Sequence, residues 1–406
     1  MKKHTLSALA AAGLLAGGLS VTSASAADLG GNCCADLEER IAELEATTAR
    51  KGNRKVSLTI SGWVAEQVTW WDDGHEDNVY VGGLGTTIGT NVKFTGQATI
   101  VPGWTAGYVL HLEADGSDSL TQDQNTPSGP GLFADTSNYV QTLQSYWFIK
   151  SESLGKVSVG LQSMVSDNAA ILVDGSGSLI PANWVAFNAL SFNIRDNAGG
   201  NTGATWGGAG GCIPGDCYGV PTNSVRYDSP TFAGFSVSAS WGDDDVWDAG
   251  IRYAGEFAGF KLAATAVYAE ATSNSVFDAN WGDSEYFQAG AYLQHIGTGL
   301  FGLVNYGNIE SDAFDEAEIW YFKAGIRQRW TPLGHTVLYG EYMTSDSYIS
   351  NGDFEWWGLG GVQEIDNAAM SMFLKYREYS LDGNAGACAL GCEDFQEVTF
   401  GALINF

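Results

Sequence analysis

Eight basic residues sit at positions where strongly polar neighbours recur on alternate residues: Lys93, Arg226, Arg252, Lys323, Arg327, Arg329, Lys375 and Arg377. Four acids, Asp167, Asp174, Asp196 and Asp216, fall in one long connection, 163–221. Groups of these types, held on opposite sides of a narrow opening, do electrostatic work. Their field orders water and favours small polar solutes over apolar ones. The residues for covalent chemistry are sparse. His111 and Glu113 share one face of a strand, but no G-x-S-x-G elbow accompanies them, so no enzyme is expected. The six cysteines fall in close pairs, Cys33–Cys34, Cys212 with Cys217 and Cys388 with Cys392. Small local disulfides, free thiols and a metal site all fit such spacing, and an oxidising compartment favours the disulfides. The five histidines are scattered and Asp243-Asp244-Asp245 lacks the spacing of a calcium loop, so neither metal nor cofactor is expected.

These charges need a scaffold, and from Lys55 onward the scaffold is read from a two-residue period. Val56, Leu58, Ile60, Gly62 and Val64 alternate with Ser57, Thr59, Ser61 and Trp63. Val92, Phe94, Gly96, Ala98 and Ile100 alternate with Lys93, Thr95, Gln97 and Thr99. Such alternation predicts strands with one apolar face. About sixteen segments are predicted, at 55–71, 88–101, 104–114, 139–151, 156–162, 222–229, 234–241, 247–257, 260–270, 284–296, 299–310, 316–330, 335–346, 354–366, 368–381 and 394–406. Every second connection is tight, as at Pro102-Gly103 and Ala258-Gly259, and the others are long and polar. An even number of antiparallel strands with short turns at one end and long loops at the other predicts an all-β transmembrane barrel.

The distribution of charge decides which face meets lipid. Of the twelve Lys and Arg past Lys55, eleven lie in predicted strands, and where alternation is clear they fall on the Ser/Thr/Gln/Gly face. A cation on the lipid face near the midplane costs roughly 2–4 kcal/mol. Eight such placements would be prohibitive, so the polar face is expected to enclose water. Sixteen strands enclose more space than their own side chains fill, which predicts a channel. Trp70, Trp71, Trp104, Trp147, Trp241, Trp247, Trp320, Trp330, Trp356 and Trp357 cluster near segment ends, as aromatic girdles do. The connection 163–221 carries apolar pieces at Leu179-Ile180 and Trp184 to Phe192, which predicts that it packs inside the barrel. The other long loops are acidic and predict a negative mouth that gathers cations, hence a mild cation preference.

Ahead of the barrel the chain changes character. Residues 1–26 carry Lys2-Lys3, an apolar core and Ala24-Ser25-Ala26, the pattern of a secretory signal peptide cleaved after Ala26. Residues 27–54 are expected to form a periplasmic helical stub and linker, with Leu37, Ile41 and Leu44 as a narrow apolar stripe and a basic cluster at its end. Such a stripe suits self-association, docking against the following domain, or merely a frayed solvated helix. The barrel is placed at 55–406. The 406 residues carry 47 Asp+Glu against 19 Lys+Arg, a net charge of −28, which excludes nucleic acid as a partner.

The chain resembles the general porins of alphaproteobacteria, the rhizobial type. The resemblance runs through 33–406 and is most specific in CCADLEERIAELEATTARKGNRKVSLTISGWV at 33–64, SYWFIKSESLGKVSVGLQ at 145–162 and VTFGALINF at 398–406. It implies a sixteen-stranded barrel in the Gram-negative outer membrane, a homotrimer, and passive diffusion of ions and small hydrophilic solutes. Lipopolysaccharide would be among its lipid contacts. By position it implies that 163–221 is an inward-folded third loop and that the cations named above line the eyelet. Phe406 looks like the terminal signal read by barrel-assembly machinery. A substrate-selective channel is the alternative, with Lys323, Arg327 and Arg329 on one strand and Lys375 and Arg377 on another as a cationic ladder.

Overall fold

The computed structural model describes residues 55–406 apart from 115, 130–139, 210–215, 273–281, 313, 348–351 and 384–385. The predicted signal peptide, helical stub and basic cluster at 50–54 lie outside the described residues, as do Cys33, Cys34 and Cys212. Nineteen strands are described: β1 (Thr59–Asp72), β2 (Asp77–Gly82), β3 (Thr90–Val101), β4 (Trp104–Ala114), β5 (Val140–Ser151), β6 (Gly155–Gln162), β7 (Asn193–Arg195), β8 (Asn201–Thr205), β9 (Thr222–Asp228), β10 (Phe235–Gly242), β11 (Trp247–Phe257), β12 (Phe260–Ala271), β13 (Ser284–His295), β14 (Leu300–Ser311), β15 (Phe314–Thr331), β16 (Gly334–Ser347), β17 (Gly352–Ile365), β18 (Met370–Leu381) and β19 (Phe395–Asn405). Among the described residues no helix is long and apolar enough to cross a membrane. The crossing is made by strands.

Each wall strand pairs antiparallel with its neighbour, and β1 closes the sheet on β19, with Trp63 opposite Asn405 and Asp72 opposite Gln396. Closure removes the unpaired edge that lipid cannot hydrogen-bond. β1 pairs with β2 over its upper half and β3 over its lower half, so β2 and β3 together form one stave and the barrel has sixteen. The stretch between the predicted segments 55–71 and 88–101 is not all loop, because Asp77–Gly82 continues the ladder. Remaining outside the wall, β7 and β8 form a small hairpin of their own within 163–221.

Outward positions are apolar and exposed, among them Val64, Val68, Val237, Ile251, Leu338, Leu359, Leu374 and Phe400. Inward positions of the same strands are polar, or are buried against chain inside the barrel. The short turns are tight enough to need glycine in places. At Gly299, between β13 and β14, φ is +73° and an added Cβ would lie 2.0 Å from the Arg327 carbonyl oxygen.

The girdle expectation needs one correction. Trp104, Trp147, Trp241, Trp247, Trp320, Trp330 and Trp357 are exposed, but Trp71 and Trp356 are buried inside the barrel. Trp70-Trp71 and Trp356-Trp357 are adjacent pairs, and consecutive residues of a strand point to opposite faces. One member of each pair therefore faces inward, where Trp71 meets Phe192 with ring centroids 4.9 Å apart.

Candidate functional site

The site is made by the segment 163–221, which enters the barrel and packs its apolar side chains against β1 and β12–β19. The apolar pieces in its sequence supply the reason. Ile171, Val173, Trp184, Val185, Phe192 and Trp206 are buried in one cluster with Trp71, Tyr286, Tyr339, Met343, Trp356 and Phe395 of the wall. Trp184 is fully covered. A bore of sixteen strands is thereby partly filled by chain.

Polar contacts stitch the segment to many strands. Ser166 donates from its backbone and hydroxyl to Asp248 on β11, both at 2.7 Å. The Ala170 amide donates to Gln288 on β13 at 2.8 Å. Asn188 donates to Glu397 and Thr399 on β19 and accepts from Gln67 on β1. These bonds sit away from bulk water, where an unpaired group is expensive, so they define one position for the segment.

Three predicted wall cations are spent on this seating. Lys323 on β15 donates to Asp174 at 2.5 Å and to the Ala182 carbonyl at 2.6 Å. Arg377 on β18 holds Glu341 on β16 in a two-pronged pair at 2.7 and 3.0 Å. Its remaining donors reach the Asn183 and Val185 carbonyls at 2.7 and 3.2 Å. Its guanidinium lies 5.1 Å over the Trp356 ring. Lys375 pairs with Glu397 at 3.1 Å. All three side chains are buried, and none lies among the groups around the open recess on the far side of the segment. Arg327 pairs with Glu364 at 2.7 Å beside a second cavity at the short-turn end. Arg329 pairs with Asp366 at 2.6 Å, half exposed.

On that far side a recess of about 180 Å³ remains between the segment and β3, β4, β5, β6, β9 and β11. Lys93, Lys156, Arg226, Arg252, His111 and Tyr146 line its wall side, and Asp167, Asn168, Leu172 and Phe187 its inner side. Arg226 donates to Asp228 at 3.0 and 2.9 Å and to the Ser163 and Met164 carbonyls at 2.9 and 3.0 Å. Lys156 pairs with the same Asp228 at 3.0 Å. Among the described residues the buried Nε of Arg252 has no hydrogen-bond partner.

The four predicted acids separate. Asp167 faces the recess, where burial pushes its carboxyl up to about 6. Hydrogen bonds from Ser163 and Asn168 and the Arg226 charge pull it down, and Asp248 pushes it further up. Asp216 lies behind it, taking the Asn168 amide at 2.6 Å, and burial and the Asp167 charge push its carboxyl well above the usual range. Asp174 is committed to Lys323. Asp196 is remote, at the β7–β8 turn, where it takes the Ala198 and Gly200 amides at 2.8 Å.

The mouth is tied down separately. Arg195 donates to Asp73 at 2.9 Å. Cys388 and Cys392 form a disulfide, and Cys217 is disulfide-bonded too; its expected partner, Cys212, lies outside the described residues. Glu113, the partner considered for His111, accepts the Thr87 and Gly89 amides at 3.0 and 2.9 Å and so caps a loop. Lys156 and Tyr146 were missed as recess residues by sequence reasoning.

Residues 6–384 match a family model described as Gram-negative porin. No curated protein matches the chain. Among solved structures, the anion-selective porin from Comamonas acidovorans is 16% identical, with a TM-score of 0.55 over 86% of this chain and 100% of that one. OmpF of Salmonella typhi, in complex with daunomycin, is 12% identical, with a TM-score of 0.54 over 87% and 98%. The trimer form of OmpT from Vibrio cholerae is 11% identical, with a TM-score of 0.53 over 86% and 99%. At such identities the likeness carries the fold alone.

Proposed function

The chain belongs to the Gram-negative porin family, and on that premise we propose that its diffusion path is the recess between the β3–β6, β9 and β11 wall and the inward segment. The protein is an outer-membrane channel for passive diffusion, spanning the membrane with its strands. The observation that carries the path is the uneven seating of 163–221. Around Lys323, Lys375 and Arg377 one side of the bore is packed with apolar side chains and closed ion pairs, widening into the cavity beside Arg327 toward the short-turn end, and the other side retains an open, charged recess.

In this reading the channel is a general one of the rhizobial type, passing ions and small hydrophilic solutes. Lys93, Arg226 and Arg252 form the working wall, with Asp167 facing them. Lys323, Lys375 and Arg377 hold the segment in place, and Arg327 and Arg329 belong to the exit. Residues 1–26 act as the signal and 27–54 as a periplasmic stub, while Phe406 serves assembly. A homotrimer fits the trimeric form of the Vibrio neighbour, and lipopolysaccharide surrounds the outer ends. A ladder of cations on β15 and β18 is disfavoured, because Lys323, Lys375 and Arg377 are buried in pairs.

Planar-bilayer recording tests this. Purified protein is expected to give stepwise, ohmic conductance with weak ion preference. Steps abolished by one particular uncharged solute would favour a selective channel instead, and folded protein giving no steps would remove the channel reading.

A further inference from the structure

The recess is basic inside a protein of net charge −28. Among the described residues four cationic side chains line it with one carboxylate, Asp167, and the Asp248 carboxylate stands close enough behind the lining to act on Arg252. Asp228 stands against two of those cations together, Lys156 and Arg226. His111 adds an independent sign of an intended ligand. It is 3% exposed, it lines the recess, and among the described residues neither ring nitrogen has a hydrogen-bond partner. Lys93 stands directly opposite it across the β3–β4 ladder. Arg252 brings a second buried donor, its Nε, without a partner. Buried donors are normally satisfied, and these two border one cavity beside fixed positive charge.

We propose that this wall is a binding subsite for small oxyanions, solutes carrying a carboxylate or phosphate group, built from His111, Arg226 and Arg252 with Lys93 beside them. The inference rests on the recess being the diffusion path and adds the class of solute it prefers. An oxyanion has several acceptor lone pairs and so meets an imidazole N–H and a guanidinium at once, and such charge-assisted bonds are the strong ones. For a simple cation the lining offers one carboxylate, Asp167, and otherwise only neutral oxygens. The acidic mouth works the other way, but its field falls off over about 8 Å at physiological salt, and charges in a recess are screened less. The inner wall therefore overrides the mouth, and the mild cation preference expected from the loops gives way to an anion preference.

The test is chloride current through single channels at pH 7 with inorganic phosphate added, and acetate in a parallel series. Phosphate is expected to reduce the open current in a concentration-dependent way. Arg252→Gln and His111→Ala should each weaken that block about tenfold, and Arg252→Lys should retain most of it. Lys261→Gln, outside the recess, should leave it unchanged. Block by both anions marks oxyanions in general as the ligand, and block by phosphate alone narrows the class to phosphates. Wild-type steps untouched by either anion would overturn the subsite while leaving the diffusion path standing. So would equal weakening in Lys261→Gln and Arg252→Gln. Absence of steps would overturn the path and the subsite together.

Discussion

Arg377 shows how little a cation's identity says about its task. On sequence grounds it is one of eight polar-face cations; in the structure it is enclosed, bonded to Glu341 and two loop carbonyls. Removing one partner of a buried pair leaves the other uncompensated, at roughly 3–5 kcal/mol. Arg377→Ala is therefore expected to loosen 163–221 and to raise single-channel conductance and open-channel noise. Arg377→Met with Glu341→Leu should restore most of the wild-type trace; a single variant with unaltered conductance would contradict the role. Asp167 is a recess residue whose charge changes in the working range. Its carboxyl titrates near 6, facing Arg226 on β9, Arg252 and Asp248 on β11, and Asp216 and Ser163 of its own segment. Above that pH it is a fixed negative charge in the recess, and below it the recess loses that charge. Reversal potentials in a salt gradient should shift toward anions as the pH falls from 7 to 5, and Asp167→Asn should abolish that shift. Because its proton is held more tightly folded than at the ordinary value of 3.8, its contribution to seating the segment is full below about 4 and is lost as pH rises through 6.

At the scale of elements, the wall strands were legible and the inner geometry was not. Strand edges follow a two-residue period and glycine turns, and β4 and β11 occupy the predicted spans. The stave made of β2 and β3 is hidden in the sequence because Gly82-Gly83 and the loop to Gly89 interrupt its alternation. Lys156 was missed because it stands at the start of β6, where alternation has barely begun, and Tyr146 for a different cause. The β4–β5 register shifts between His111 and Leu112, which sets Leu143 as an extra residue and reverses the face of the residues beyond it on β5. Cations are read as inward by alternation alone, but whether a segment then covers them depends on contacts far apart in sequence, such as Asn183 with Arg377. The segment itself depends on its apolar anchors. Trp184→Ala, at a fully buried position, should cost about 3–5 kcal/mol of that packing. Limited proteolysis of the folded barrel should then cut within 163–221 where the parent resists; equal resistance would show that the polar stitches suffice.

Across the whole molecule two opposed fields meet. Acidic loops crown the barrel, and a basic recess lies inside it, with apolar side chains turned outward to hydrocarbon. The division of faces is what every other statement depends on, and cysteine accessibility tests it most directly. Thr95 lines the recess, and Phe94, its neighbour on β3, belongs to the outward set. With Cys33 and Cys34 replaced by serine, Thr95→Cys and Phe94→Cys are each reconstituted and treated with a charged, water-soluble methanethiosulfonate while current is recorded. The account predicts that Thr95→Cys reacts and loses current in discrete steps while Phe94→Cys keeps its full conductance; reaction at Phe94→Cys with Thr95→Cys untouched would contradict it.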